Sequence, residues 1–187
     1  MPDIAEFLPS PRAAGMLRLA GFALAVSLLA GCGGPSGEKF APACPALKLL
    51  PDAADLVRTS GQGTDVTDLL VRGRIVNVPA TCKDGGRNTV AAEIKVGFDI
   101  SRGPATTDRT IELPYLVTVM LGDRILDQKP FTVTAVFPPN VDQVSVTSDP
   151  VALDFPVGPN RAASDYAIYV SFRLTPAELA ANRRTRP

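Results

Sequence analysis

Apolar and polar residues alternate along most of the second half of the chain, the period of a strand with one buried face. The clearest run is 165–174. There Tyr166, Ile168, Val170, Phe172 and Leu174 fall on one face, and Ala167, Tyr169, Ser171 and Arg173 on the other. Residues 90–100 repeat the pattern, with Ala92, Ile94, Val96, Phe98 and Ile100 opposing Glu93, Lys95, Gly97 and Asp99. Over 111–121, Tyr115, Val117, Val119 and Leu121 share a side. Gly122-Asp123 then fits a two-residue hairpin turn with glycine first, the type II′ preference. The return strand is expected over 124–128, with an interruption at Lys129-Pro130 and a resumption over 131–137 on Phe131, Val133, Ala135 and Phe137. Residues 66–78 predict a long strand whose apolar register shifts near Ile75-Val76, the mark of a bulge. Residues 144–147 and 151–157 predict shorter strands, and 83–88 (KDGGRN) a flexible turn.

No long amphipathic helix alternates with these strands, which disfavours a parallel βαβ sheet. The expected fold is all-β: an antiparallel β-sandwich, immunoglobulin-like in the broad sense, with a small closed barrel as the alternative. One short C-terminal helix is signposted. Thr175 stands at the N-cap, Pro176 at the first helical position and Glu178 at the capping-box position. Leu179 offers an apolar contact, and Arg183, Arg184 and Arg186 suit the negative end of a helix. Contact of this basic tail with anionic lipid or another acidic surface is the alternative reading.

The apolar run 19–29 (LAGFALAVSLL) stands apart. A bilayer-spanning helix needs about 20 apolar residues; this run has the length of a secretory h-region and follows Arg18. It leads into Leu29-Ala30-Gly31-Cys32 and then into the small, flexible GGPSGEKFAPA of 33–43. Together these features resemble the signal and lipobox of bacterial lipoproteins. The resemblance implies that the Cys32 thiol carries a diacylglyceryl group, that the chain is cut before it, and that the new amine is acylated. An ordinary secretory signal with an incidental cysteine is the alternative. On the lipoprotein reading, residues 1–31 are a signal peptide, 32–43 a lipidated tether and 44–187 the periplasmic domain. Residues 1–15 are not basic, carrying Asp3 and Glu6, whereas a complete short signal begins at Met16, the expected start of translation. Gly33, and not Asp, follows the cysteine. In the sorting pattern of enterobacterial lipoproteins that points to the outer membrane, with inner-membrane retention as the alternative. Two acyl chains suffice for stable anchoring.

With Cys32 set aside, Cys44 and Cys82 remain. An even remainder in an exported chain reads as a disulfide. A redox pair is the alternative, without a Cys-x-x-Cys motif to support it.

Lys+Arg and Asp+Glu are both 19, so the chain is formally neutral and lacks the basic excess that a nucleic-acid binder needs. The segment ahead of Cys32 removes Arg12, Arg18, Asp3 and Glu6, so the remainder is neutral too. Histidine is absent, which excludes every His-containing triad and the commonest metal ligand. No metal, cofactor or catalytic residue is expected. Ser36-Gly37-Glu38-Lys39 matches the Ser-x-x-Lys of penicillin-binding proteins, but it sits in the tether without a Lys-Thr-Gly or Ser-Asp-Asn partner. Gly61-Gln62-Gly63 lacks the third glycine of a dinucleotide loop. Asp65 and Asp68 read as solvated turn acids, and Asp99, Arg102, Asp108 and Arg109 as loop charges. Arg102-Gly103-Pro104 is a candidate recognition loop. Tryptophan is absent, and Tyr115 and Tyr166 read as core, leaving Tyr169 on the opposite face; stacking on a sugar is therefore disfavoured.

The whole chain resembles the uncharacterised lipoproteins of proteobacterial envelopes. LAGC (29–32), Cys44-Pro45 and the closing YAIYVSFRLTPAEL (166–179) carry the likeness. It implies a location and a small β-domain. The expected function is that of a membrane-tethered, non-enzymatic envelope lipoprotein, a protein-interaction or assembly-accessory domain. Its partners would be the bilayer, through acylated Cys32, and an envelope protein. The alternative is a binder of a small hydrophobic or lipidic ligand.

Overall fold

The computed structural model describes residues 42–61 and 65–185. The signal segment, Cys32, Ser36, Lys39, most of the tether and Arg186 lie outside them. In chain order the elements are β1 (Ala46–Leu49), β2 (Asp55–Thr59), β3 (Leu69–Asn77), β4 (Ala80–Asp84), β5 (Thr89–Ile94), β6 (Gly97–Arg102), β7 (Thr110–Leu121), β8 (Arg124–Val136), β9 (Gln143–Thr147), β10 (Val151–Pro156), β11 (Tyr166–Phe172) and the helix α1 (Pro176–Thr185).

They build a β-sandwich. One layer is the sheet β1-β11-β7-β8. The other consists of two sheets end to end, β2-β3-β6-β9 and β10-β5-β4. Three chain segments pass from one of these sheets to the other: β3 into β4, β5 into β6, and β9 into β10. The passage falls at Val78-Pro79, Lys95-Val96 and Ser148–Pro150, so a seam crosses the layer. Prolines supply no N–H to a ladder and favour such breaks. The seam is nonetheless hydrogen bonded. Lys95 N–H donates to the Pro79 carbonyl at 3.0 Å, Ser148 N–H to the Val96 carbonyl at 2.9 Å, and Val96 N–H to Ser148 Oγ at 3.0 Å. Pairing is antiparallel throughout, except that β1 lies parallel to β11.

The core sits between the layers, where the alternating residues converge. Phe98 of β6 is fully buried; its ring centre lies 5.2 Å from that of Tyr115 on β7 and 5.6 Å from that of Phe172 on β11. Phe155 and Tyr166 meet edge to face at 5.1 Å, and Tyr166 Oη donates to the Pro156 carbonyl at 2.6 Å. The layers close tightly over Gly73, where a Cβ would stand 3.0 Å from Leu113 and from Phe172.

Several expectations are corrected. The run 90–100 keeps its buried face without a break, but it is two strands in two sheets. Residues 66–68 form a single 3-10 turn, capped when Thr67 N–H donates to Asp65 Oδ1 at 3.1 Å. Strand β3 follows, with its irregularity between Ile75 and Asn77 near the expected bulge. Lys129-Pro130 does not interrupt β8, because β8 is a sheet edge, where a missing N–H on the open side breaks no ladder bond. The Gly122-Asp123 turn joins β7 to β8 with Gly122 at φ +57°, a value that favours glycine.

At the C-terminus the capping box is complete. Glu178 N–H donates to Thr175 Oγ1 at 3.2 Å, and Thr175 N–H donates to Glu178 Oε2 at 2.6 Å. Arg58 Nε on β2 donates to the other Glu178 oxygen at 3.0 Å. Asn182 Nδ2 donates to the carbonyls of Asp52 and Asp55 at 2.9 and 2.8 Å, and Arg183 pairs with Asp52 at 3.0 Å. The helix is thus stapled to β2 and the turn before it. Burial pushes the Glu178 carboxyl up, but the Thr175 N–H and the Arg58 guanidinium outweigh it and hold the pKa below the ordinary glutamate range. The unfolded chain therefore takes up a proton here before the folded one does. This contribution to stability is complete above about pH 4.3, the ordinary glutamate pKa, and is lost as pH falls through the lower folded value. The protection of α1 amides, taken relative to free-peptide exchange at each pH, is expected to fall over that acidic window in the native protein and to lose the pH step in Glu178→Gln.

Candidate interaction surface

In the sheet β1-β11-β7-β8, the residues that do not face the core form rows across the strands. One row is Ala46, Ala167, Met120 and Ile125; the next is Lys48, Tyr169, Thr118 and Gln128; the third includes Ser171, Leu116 and Pro130. Leu50 continues β1 on the same face, 40% exposed. This is the solvent side of the sheet, yet these rows are largely apolar, with Leu50, Ile125 and Pro130 exposed and Leu116, Met120 and Tyr169 half-buried between them. Further along β7 and β8 the same face turns polar, with Glu112 beside Thr134 and with Thr132. Lys48 Nζ lies 5.5 Å over the Tyr169 ring, and Gln128 Nε2 donates to Thr118 Oγ1 at 3.0 Å.

The outer side of β2-β3-β6-β9 is the opposite case. Asp55, Arg74, Asp99 and Ser145 stand in one cross-strand row. Arg74 Nε donates to Asp55 at 2.6 Å, and Ser145 Oγ donates to Asp99 at 2.6 Å. Hydrogen bonding to Asp55 raises the Arg74 pKa above the ordinary value. A groove of about 390 Å³ between this row and α1 is lined by Asp55, Arg72, Arg74, Asn182 and Thr185 together with the apolar Pro51 and Val57. Exposed apolar patches mark contact surfaces and solvated ladders do not; the exposed Val57 and Val76 of this second face stand apart from each other, Val57 opposite Arg72.

The edge of β8 is blunted against strand addition. It carries Pro130, an unopposed bulge residue at Leu126, and the inward-facing pair Asp127–Lys129 at 3.2 Å. Behind that pair a cleft of about 330 Å³ opens between β8 and β10, floored by Val119, Leu153, Phe155 and Tyr166.

Cys44 and Cys82, the expected pair, are brought together: a disulfide joins the residue two before β1 to the middle of β4, with the Cα atoms 5.7 Å apart. Cys32 lies outside the described residues. Asp65 is spent on its cap, which holds its pKa below the usual aspartate value. Asp99 and Arg102 are not loop charges but belong to β6, while Asp108 and Arg109 lie in the following loop. Arg102 pairs with Asp142 at 2.6 Å and packs over the Phe137 ring at 5.8 Å. Gly103 is a packing residue, since a Cβ there would overlap the Leu69 carbonyl oxygen. The candidate recognition loop is thus pinned at two of its three residues. Tyr115 and Tyr166 are core, and burial holds the Tyr115 phenol above the ordinary tyrosine range. Among the described residues no three His, Cys, Asp or Glu side chains gather in a metal-binding group. The apolar outer face was not anticipated from the alternation, although Pro114, Leu116 and Met120 occupy its polar phase and are the signal that points to it.

No protein family, curated protein or solved structure matches the chain.

Proposed function

We propose that this chain is a lipid-anchored envelope lipoprotein with no catalytic activity, whose periplasmic sandwich binds an envelope protein through the outer face of the β1-β11-β7-β8 sheet. The observation that carries the reading is the contrast between the two outer faces, with Leu50, Leu116, Met120 and Tyr169 against the solvated Asp55–Arg74–Asp99–Ser145 row. The Leu29–Cys32 motif supports the anchor and, through Gly33, an outer-membrane address. The blunted β8 edge favours recognition by a face over recognition by an added strand.

The test is cross-linking in living cells with a photoreactive residue in place of Leu116, on the apolar face, or Arg72, on the polar one. The expected result is a defined partner captured from the first position and not from the second. Leu116→Glu in the native chain is expected to weaken the complex at least about 30-fold, the effect of a hot-spot residue worth 2 kcal/mol or more. Equal capture from both positions would overturn the assignment of the face. No reproducible partner from either, in cells where known complexes are recovered, would turn the function toward a small hydrophobic ligand in the cleft between β8 and β10.

A further inference from the structure

The β7–β8 hairpin ends in an exposed apolar pair, Ile125 at the corner of the apolar face and Leu126 at the mouth of the β8–β10 cleft. From Arg124 to Pro130 every residue is exposed. Among the described residues seven large apolar side chains are prominently exposed, and Ile125 and Leu126 are the only two adjacent in sequence, at 62% and 45%. Met120 opposes Ile125 and Val119 opposes Asp127, so Leu126 is the extra residue of the bulge, without a cross-strand partner, and lines the mouth of the cleft between β8 and β10. A bulge re-aims a side chain. Edge protection accounts for Pro130 and for the inward Asp127–Lys129 pair. It does not account for two neighbouring exposed hydrophobes, which work against it.

The chain's path indicates what covers them. Strand β1 runs parallel to β11, and β11 antiparallel to β7. The start of β1 therefore lies at the same end of the sheet as the Gly122-Asp123 turn. Ala46, Ala167, Met120 and Ile125 form one row, so the entry of the chain and the hairpin tip are three strand spacings apart, about 14 Å. The described residues begin at 42, ten residues after Cys32. An extended stretch of that length reaches at most about 36 Å, so an anchored Cys32 keeps this end of the sandwich near lipid at a high effective concentration.

We propose that Ile125 and Leu126 dip into the headgroup–acyl boundary of the membrane that holds lipidated Cys32. The proposal rests on the lipid-anchor reading above. Charges at the tip balance: Arg124 and Lys129 against Asp123 and Asp127. Insertion is therefore driven by apolar contact and not by attraction to anionic lipid, with the long Arg124 side chain extending toward the headgroups. The strands then stand steeply to the bilayer, and the apolar outer face of the sheet points sideways along the membrane surface, open to a neighbouring protein.

The test uses the lipidated protein reconstituted into phosphatidylcholine vesicles, with and without phosphatidylglycerol. An environment-sensitive fluorophore is attached in Leu126→Cys or, at the opposite end of β8, in Asn140→Cys. The expected result is a blue-shifted probe in Leu126→Cys, quenched by spin-labelled lipid, and a water-like probe in Asn140→Cys, with the same contrast in both lipid mixtures. Ile125→Asp is expected to abolish the shift in Leu126→Cys while the protein still floats with the vesicles. A floating protein whose Leu126→Cys probe stays water-like overturns the insertion and leaves the anchor standing. A shift seen only with phosphatidylglycerol replaces apolar insertion with electrostatic adsorption and also overturns it. Protein that fails to float, with an intact mass lacking the lipid on Cys32, overturns the anchor and the insertion together.

Discussion

Phe98→Ala is expected to lower the unfolding free energy by about 4 kcal/mol, the middle of the range for a buried aromatic. The size follows from the position. Phe98 is fully buried and touches rings from β7 and β11, so its removal leaves a void between the two layers. The void cannot collapse easily. Strand β6 is held on one side by β3 and on the other by β9, so the backbone cannot move inward without breaking a ladder. Phe98→Leu fills most of the space and is expected to lose only about 1 kcal/mol. Urea unfolding of the chain from Gly33 onward measures both. A loss below about 1 kcal/mol for the alanine variant would mean that the layers are not locked through this residue.

Paired replacement of Cys44 and Cys82 by serine is expected to remove about 4 kcal/mol, the entropy of a loop closed across a sequence separation of 38. The replacement isolates the crosslink. Cys44 is exposed and Cys82 half-buried against the margin of the core, so both new hydroxyls reach water and the packing lost is confined to Cys82. Reduction of the native protein before unfolding is expected to move the urea midpoint by the same amount. If the serine variant and the reduced protein match the oxidised one, the bridge contributes nothing to the fold.

Strands β7, β9, β10 and β11 and the helix were legible because each carries its own local signal, alternation or a capping box. The short strands were not. In β1 and β4, four and five residues long, there is too little sequence for a period to emerge; in β2 only Leu56 is fully buried. The seam was invisible for another reason. Alternation reports which side chains face inward, and Ala92, Ile94, Val96, Phe98 and Ile100 do so across the break. Which strand receives a backbone hydrogen bond leaves no trace in that pattern. Pro130 misled in the same way, since the cost of a proline depends on whether its strand is central or at an edge. The disulfide could be read from counting cysteines. The apolar outer face needed the register of three strands before Leu50, Met120 and Tyr169 could be seen as neighbours.

The parallel pairing of β1 with the last strand, and the bridge just ahead of it, also set how the sandwich meets mechanical force. Any pull along the N-terminal segment runs through Cys44 before it reaches Ala46, and Cys44 is bonded to β4 in the opposite layer. Tension is divided there between a covalent bond and the β1–β11 ladder. Without the bridge, the same pull would fall on the short β1 alone and draw it along β11. With it, the pull spreads into both layers of the sandwich.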